Sequence, residues 1–189
     1  MGYKKYAKDY KPQIVSVNDG RSVKEIYVYN GPYFTACFAS ETEKKRAKLL
    51  CILNATLSCL LFVAAGLVDA DAARQIYVAI PFVVEMAPTA FFAVGAILAM
   101  RAPEKMKREE ADRSWRRVKN MSTVLAVVAG VVLLGSIIHM ILAKDGAAPT
   151  VIFTILTAVD GAIAGLTSHF LHKNCKIEET KVEKNSKNA

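Results

Sequence analysis

Four apolar runs constrain this chain more than anything else in it. Residues 49–68, 75–100, 120–143 and 147–171 are each 20 residues or longer, and between them they hold two formal charges, Glu85 and Asp160. A helix needs about 20 apolar residues to cross a hydrocarbon layer of ~30 Å. In that layer backbone N–H and C=O groups have to pair within the segment, so helix is the form such a run takes. A water-soluble four-helix bundle would keep a charged stripe on each helix, and these runs have none. The fold class that follows is an all-α integral membrane protein with four transmembrane helices.

Charged residues still make up 22% of the chain, so they must be segregated, and their placement sets the expected orientation. Lys and Arg are retained on the cytoplasmic side in short loops and beside helix ends. Residues 1–48 carry 10 of them, 101–119 carry 8 and 172–189 carry 5, whereas the two remaining connections carry Arg74 and Lys144. Both termini are therefore expected in the cytoplasm (N-in/C-in). The short connections 69–74 and 144–147 make the spans two antiparallel hairpins. The expected location is multi-pass in a membrane, the plasma (inner) membrane for a prokaryotic source. The net charge of +8 gathers on one face, where it suits a bilayer with anionic headgroups. No nucleic acid is expected as a partner, because the basic clusters abut the spans and no recognised nucleic-acid module accompanies them. A homo-oligomer or a larger membrane assembly is the expected company for so small a spanning unit.

Three parts follow. Residues 1–47 form a cytoplasmic segment with a small β-hairpin at 13–29, where Asn18-Asp19-Gly20 supplies the turn between runs of strand-forming residues. Two strands alone are marginal in water, so this hairpin needs the membrane surface, the 101–119 loop or a partner. Residues 48–171 form the transmembrane domain, with Ser40 and Glu43 spaced as a capping box ahead of the first span. The basic loop 101–119 is long enough for an amphipathic helix after Pro103, and Trp115 near its end is expected as an interfacial anchor. The charged, low-complexity tail 172–189 is expected to be disordered.

The polar residues within the spans are the candidates for function. Glu85 lies roughly ten residues, and Asp160 roughly fourteen, from the outer ends of their spans, so both approach the bilayer midplane. A carboxylate there costs on the order of 2.5–3.5 kcal/mol by insertion scales, and such residues face the bundle interior. Gly161 and Gly165, four apart beside Asp160, form a small face for close helix packing. Pro81 and Pro88 flank Glu85 and each removes a donor, so a kink with freed carbonyls is expected near the acid. Asn54 in the first span is a further polar candidate within reach of the pair.

Three roles fit this constellation. The acids share protons and hydrogen bonds that fix helix packing, or they bind a proton or cation that exchanges, or they are catalytic. The last is weakest, since intramembrane hydrolysis needs an activated nucleophile that no motif supplies. No cofactor or metal is expected. Cys37, Cys51, Cys59 and Cys175 form no Cys-x-x-Cys pair, His139 stands alone, and no Gly-rich phosphate loop is present. The expected function is a non-enzymatic membrane subunit or interaction protein, with a small oligomeric proton- or cation-coupled transporter as the alternative. A reporter active only in the cytoplasm should be silent when fused at Asp71 and active when fused beyond residue 172. Activity at Asp71 would reverse the orientation.

Overall fold

The computed structural model describes residues 3–17, 22–143 and 147–180. Four helices are long and apolar enough to cross a membrane, consistent with a multi-pass membrane protein of the all-α class. They are α2 (Glu41–Leu67), α3 (Ile76–Arg101), α5 (Trp115–Ala143) and α6 (Ala148–Asn174). Around one end of them stand α1 (Tyr3–Tyr6), β1 (Tyr10–Val17), β2 (Ser22–Tyr29), β3 (Tyr33–Cys37), β4 (Met106–Lys107), α4 (Arg108–Arg113) and β5 (Lys176–Thr180).

Local sequence sets the helix ends. Ser40 takes an extended conformation and its hydroxyl accepts from the Glu43 N–H at 3.1 Å, while Glu41 and Glu43 place negative charge in the first turn of α2. A proline opens α6, and His172 and Lys173 lie in its last turn, where cations suit the helix dipole.

Buried positions repeat every seven residues. On α5 they are Trp115, Val118, Ser122, Leu125, Ala129, Val132, Ser136 and His139, and on α6 Thr150, Phe153, Thr157, Asp160, Ala164, Thr167 and Leu171. Spacings alternating three and four average 3.5 residues, the period of helices packed as a left-handed bundle. The inward faces mix small and polar residues with a few large apolar ones, Trp115, Leu125, Phe153 and Leu171, while Ile155, Val159 and Leu166 point outward, which brings polar groups inside and aliphatic ones outside. Each spanning helix packs on two others, α2 on α3 and α6, and α5 on α3 and α6. The four make one closed ring, with α3 and α6 on its diagonal, rather than two separable hairpins.

The interior of the ring holds two apolar clusters. One contains Ala55, Phe92, Leu125 and Ala164 and continues to the end bearing the strands. The other, toward the opposite end, contains Ala65, Val78, Val132 and Phe153. The polar pair described below lies between them in sequence on every helix that contributes to it.

Four sequence expectations change at the strand-bearing end. The hairpin is present but runs from Tyr10 paired with Tyr29 to Val17 paired with Ser22, three residues longer at its start than 13–29; its expected Asn18-Asp19-Gly20 turn lies outside the described residues. It rests on the loop, where the Arg108 N–H donates to the Tyr29 hydroxyl at 3.0 Å and the Lys107 ammonium stands over the Tyr10 and Tyr29 rings.

The tail is ordered through Thr180. Residues 172–174 complete α6, and β5 pairs antiparallel with β3 from Tyr33 opposite Thr180 to Cys37 opposite Lys176. Charge hid a strand whose Ile177 packs on the core; residues 181–189 lie outside the described ones. The loop is not a single helix either. Met106 and Lys107 are drawn into the sheet on the other edge of β3. The short α4 then stops at Ser114, whose hydroxyl donates to the Glu110 carbonyl at 2.6 Å.

Trp115 is no interfacial anchor. It is 2% exposed, its ring meeting Phe38 edge-on at 5.2 Å, and it shares a cluster with Phe34, Ala36, Met106 and Ala111. Three strands from distant parts of the chain thus close over the bundle on one indole. Burial pushes the Cys175 thiol beside this cluster up to about 11, so at neutral pH it reacts only when the cluster opens. In a background with Cys37→Ser and Cys59→Ser, Trp115→Ala should lose about 3–5 kcal/mol. Fluorogenic maleimide labelling of Cys51 and Cys175 in detergent should then begin at a lower temperature. An unchanged labelling midpoint would remove Trp115 from the core.

Candidate functional site: a buried carboxyl pair

Glu85 comes from the middle of α3 and Asp160 from the middle of α6, at 1% and 2% exposure. The two side chains face each other across the ring, with Ser58 of α2, fully buried, beside Asp160. Three helices therefore converge on one point. Glu85 and Asp160 occupy the inward positions of their own seven-residue repeats, so the stripe that packs the bundle also aims the acids.

The backbone around Glu85 remains helical through both prolines. Pro81 and Pro88 lack the N–H groups that Tyr77 and Val84 carbonyls would otherwise accept. One turn beyond Glu85, the Thr89 hydroxyl donates back to the Glu85 carbonyl at 2.8 Å. Pro88 and Thr89 are themselves buried, so the face of this segment that carries Glu85 packs on its neighbours, while Val83, Val84 and Met86 point outward.

Donors are short at the pair. Among the described residues, Glu85 Oε2, both Asp160 carboxyl oxygens and Ser58 Oγ are buried without a partner at strict hydrogen-bond geometry. A carboxylate is an acceptor only, and Ser58 supplies one O–H. Two bare carboxylates in a low-dielectric interior repel each other and lose their hydration. A proton shared between them or a bound cation would relieve both costs, and those are the two things such an arrangement can do chemically.

Asn54 is not part of it. Its side-chain amide donates to the Thr167 hydroxyl at 2.7 Å, linking α2 to α6 one turn away from Ser58. Ser58, four residues further along α2, reaches the acid instead. Both positions were visible on one face of the first span, and only depth separates them. His139 pairs through Nδ1 with the Tyr77 hydroxyl at 3.1 Å. Among the described residues no three His, Cys, Asp or Glu side chains come together in a metal-binding group.

The glycines divide by what stands beside them. A Cβ on Gly161 would sit 3.2 Å from Ala129 Cβ, whereas one on Gly165 would meet Ala126 Cβ at an ordinary 3.9 Å. The tightest crossing within the spans is at Gly95, where a Cβ would lie 3.0 Å from Val118 Cγ2 and 3.2 Å from the Val118 backbone nitrogen. That contact was not anticipated, although Gly95 and Ala99 carry the same small-xxx-small spacing as Gly161 and Gly165. No protein-family model, curated protein or solved structure matches this chain significantly.

Replacing Gly95 or Gly161 by Leu should overpack the α3–α5 and α5–α6 crossings and destabilise by at least about 1–3 kcal/mol. Gly130→Leu is the control, since nothing lies within 4 Å of a Cβ there, and it should leave the thermal midpoint in detergent unchanged. Equal effects at all three positions would deny that close approach holds the ring.

Proposed function

We propose that the protein is a non-enzymatic, multi-pass membrane subunit or interaction protein, with its strand-bearing end in the cytoplasm and Glu85–Asp160 as an internal fastening of its four helices. The observation that carries this reading is the setting of the pair. Both acids are almost wholly buried on the ring's diagonal, with Phe92, Leu125 and Ala164 in the apolar cluster on one side and Val78, Val132 and Phe153 in that on the other. A pair sealed in this way links α3 to α6 without offering a reacting substrate an approach.

The cytoplasmic assignment rests on charge, since 23 of the 25 Lys and Arg residues belong to the three segments that meet at that end. Those segments are also where a partner would dock. The hairpin presents Ile14, Ile26, Tyr27 and Val28 outward, and a small spanning unit of this kind suits a homo-oligomer or a larger membrane assembly, in the plasma (inner) membrane for a prokaryotic source.

A second reading has its own support. The orphan oxygens of Glu85, Asp160 and Ser58 could coordinate an exchanging proton or cation, which is what a small coupled transporter needs. The amide replacements separate the two. Glu85→Gln and Asp160→Asn each bring a donor to the remaining carboxylate without changing shape, so a fastening should keep or raise its thermal midpoint. Glu85→Ala should lower that midpoint, costing about 2–5 kcal/mol of stability through the lost side chain and stranded acid. If instead the amides keep the fold but abolish a proton-coupled flux that wild-type protein shows in liposomes, the pair is an ion-binding site.

A further inference from the structure

A groove of about 470 Å³ lies between α2 and α6 at the strand-bearing end of the spans. Its lining changes character with depth. Lys173 stands nearest the helix end, Leu50 and Phe170 form apolar walls about one turn deeper with His169 at a similar level, and Leu166 lies deepest. Lys173 and Leu166 are seven residues apart on one helix, so the groove descends about 10 Å from the helix end. Arg46, one turn before Leu50 on α2, is exposed on the same side as the mouth. Neither Arg46 nor Lys173 makes an ion pair among the described residues.

The floor is polar at a depth where lipid chains would be. Asn54 lines the groove half-buried, and among the described residues its hydrogen bond is the one to Thr167 at 2.7 Å. Thr167 in turn donates to the Ile163 carbonyl at 2.8 Å. The Asn54 carbonyl oxygen and second N–H remain unspent. Positive charge at headgroup level above apolar walls that are partly exposed to lipid, Leu50 and Leu166 among them, matches the anionic head and acyl chain of a phospholipid, with the Asn54–Thr167 pair at the deep end. A water-soluble phosphate ligand would leave the apolar walls unused. Basic pockets between spanning helices on the cytoplasmic side are suited to anionic headgroups.

We propose that this α2–α6 groove binds one anionic glycerophospholipid, its phosphate against Lys173 and Arg46 and an acyl chain along Leu50, Phe170 and Leu166. The site rests on the membrane placement of the chain and is independent of the role of Glu85 and Asp160.

The test is native mass spectrometry of the full-length protein in detergent with added phosphatidylglycerol or phosphatidylcholine. One phosphatidylglycerol should be retained per chain at activation energies that strip phosphatidylcholine. Lys173→Gln with Arg46→Gln should reduce retention on the order of tenfold or more, whereas the charge-matched control Lys45→Gln with Lys105→Gln should leave it unchanged. Leu166→Trp should block retention without altering charge, with thermal midpoints confirming that every variant folds. Equal retention of the two lipids, or equal loss in both double variants, would reduce the effect to unspecific surface charge and sink the proposal. Displacement by soluble glycerol phosphate would show a headgroup site without a chain slot, and disulfide dimers at Leu50→Cys would show a second copy of the chain in the groove; either result overturns it.

Discussion

Lipid tails are as apolar as leucine, so burying one apolar side chain against another brings these helices little cohesion, and close contact with polar links has to supply what the hydrophobic effect supplies in water. The bundle is built around that shortage. Its inward stripes carry Ser58, Thr89, Ser122, Ser136, Thr157 and Thr167, while larger aliphatic side chains such as Leu60, Val83, Leu134 and Leu166 face outward. Gly95 and Gly161 allow α3 and α6 to approach α5 to within a methyl group. Because dispersion falls away steeply with separation, these crossings fix the spacing at which every other inward group must fit.

At the strand-bearing end, where the chain leaves hydrocarbon, the usual logic returns. There the interior is aromatic and apolar, centred on Trp115, Phe34 and Met106, and charge is placed around it. Asp112 gathers Arg116 at 2.6 Å, Lys5 at 2.8 Å and the Tyr6 hydroxyl at 3.0 Å, holding the first residues of the chain to the start of α5. Gly31 has room for no side chain, since a Cβ would lie 2.8 Å from both Asp9 Cβ and the Tyr29 hydroxyl. The strands β3, β4 and β5 come from three segments separated by spans, so their pairing requires all three to share one side of the bundle. The positive charges had grouped the same segments by an unrelated argument.

That agreement shows which features a linear reading can reach. Length and apolarity determine the spans because the solvent imposes them residue by residue, and the Ser40 cap is legible because it is a contact of three residues. Glu85 and Asp160 stood out because a charge is conspicuous in oil. The strand β5 did not, since KIEET is charged, short and strand-like only once β3 offers an edge. Trp115 differs from its expected place for a similar reason: an indole beside a span suits the interface until Phe38, far from it in the chain, is known to pack against it. Ser58 and Asn54 differ by one turn, and only the relative height of α2 and α6 decides which meets the acid.

The diagonal position of the acid pair gives its neutralising species an unusual leverage. The ring's neighbouring helices hold each other through small residues along their length, but α3 and α6 are not neighbours, and Glu85–Asp160 is the link drawn between them at the centre. A proton or cation there does two things at once, removing the repulsion of two buried carboxylates and tying opposite sides of the ring. Fastening and ion binding are therefore the same interaction viewed under different boundary conditions. What distinguishes them is whether the apolar layers containing Phe92 and Leu125 on one side, and Val78 and Phe153 on the other, part often enough to let the bound species exchange. Those layers meet across α3–α5 and α2–α6 crossings of unlike tightness, and the α3–α5 crossing is pinned at Gly95. The α2–α6 side has no such glycine approach among the described residues; there Asn54 and Thr167 form a hydrogen-bonded bridge where the lipid-facing groove begins.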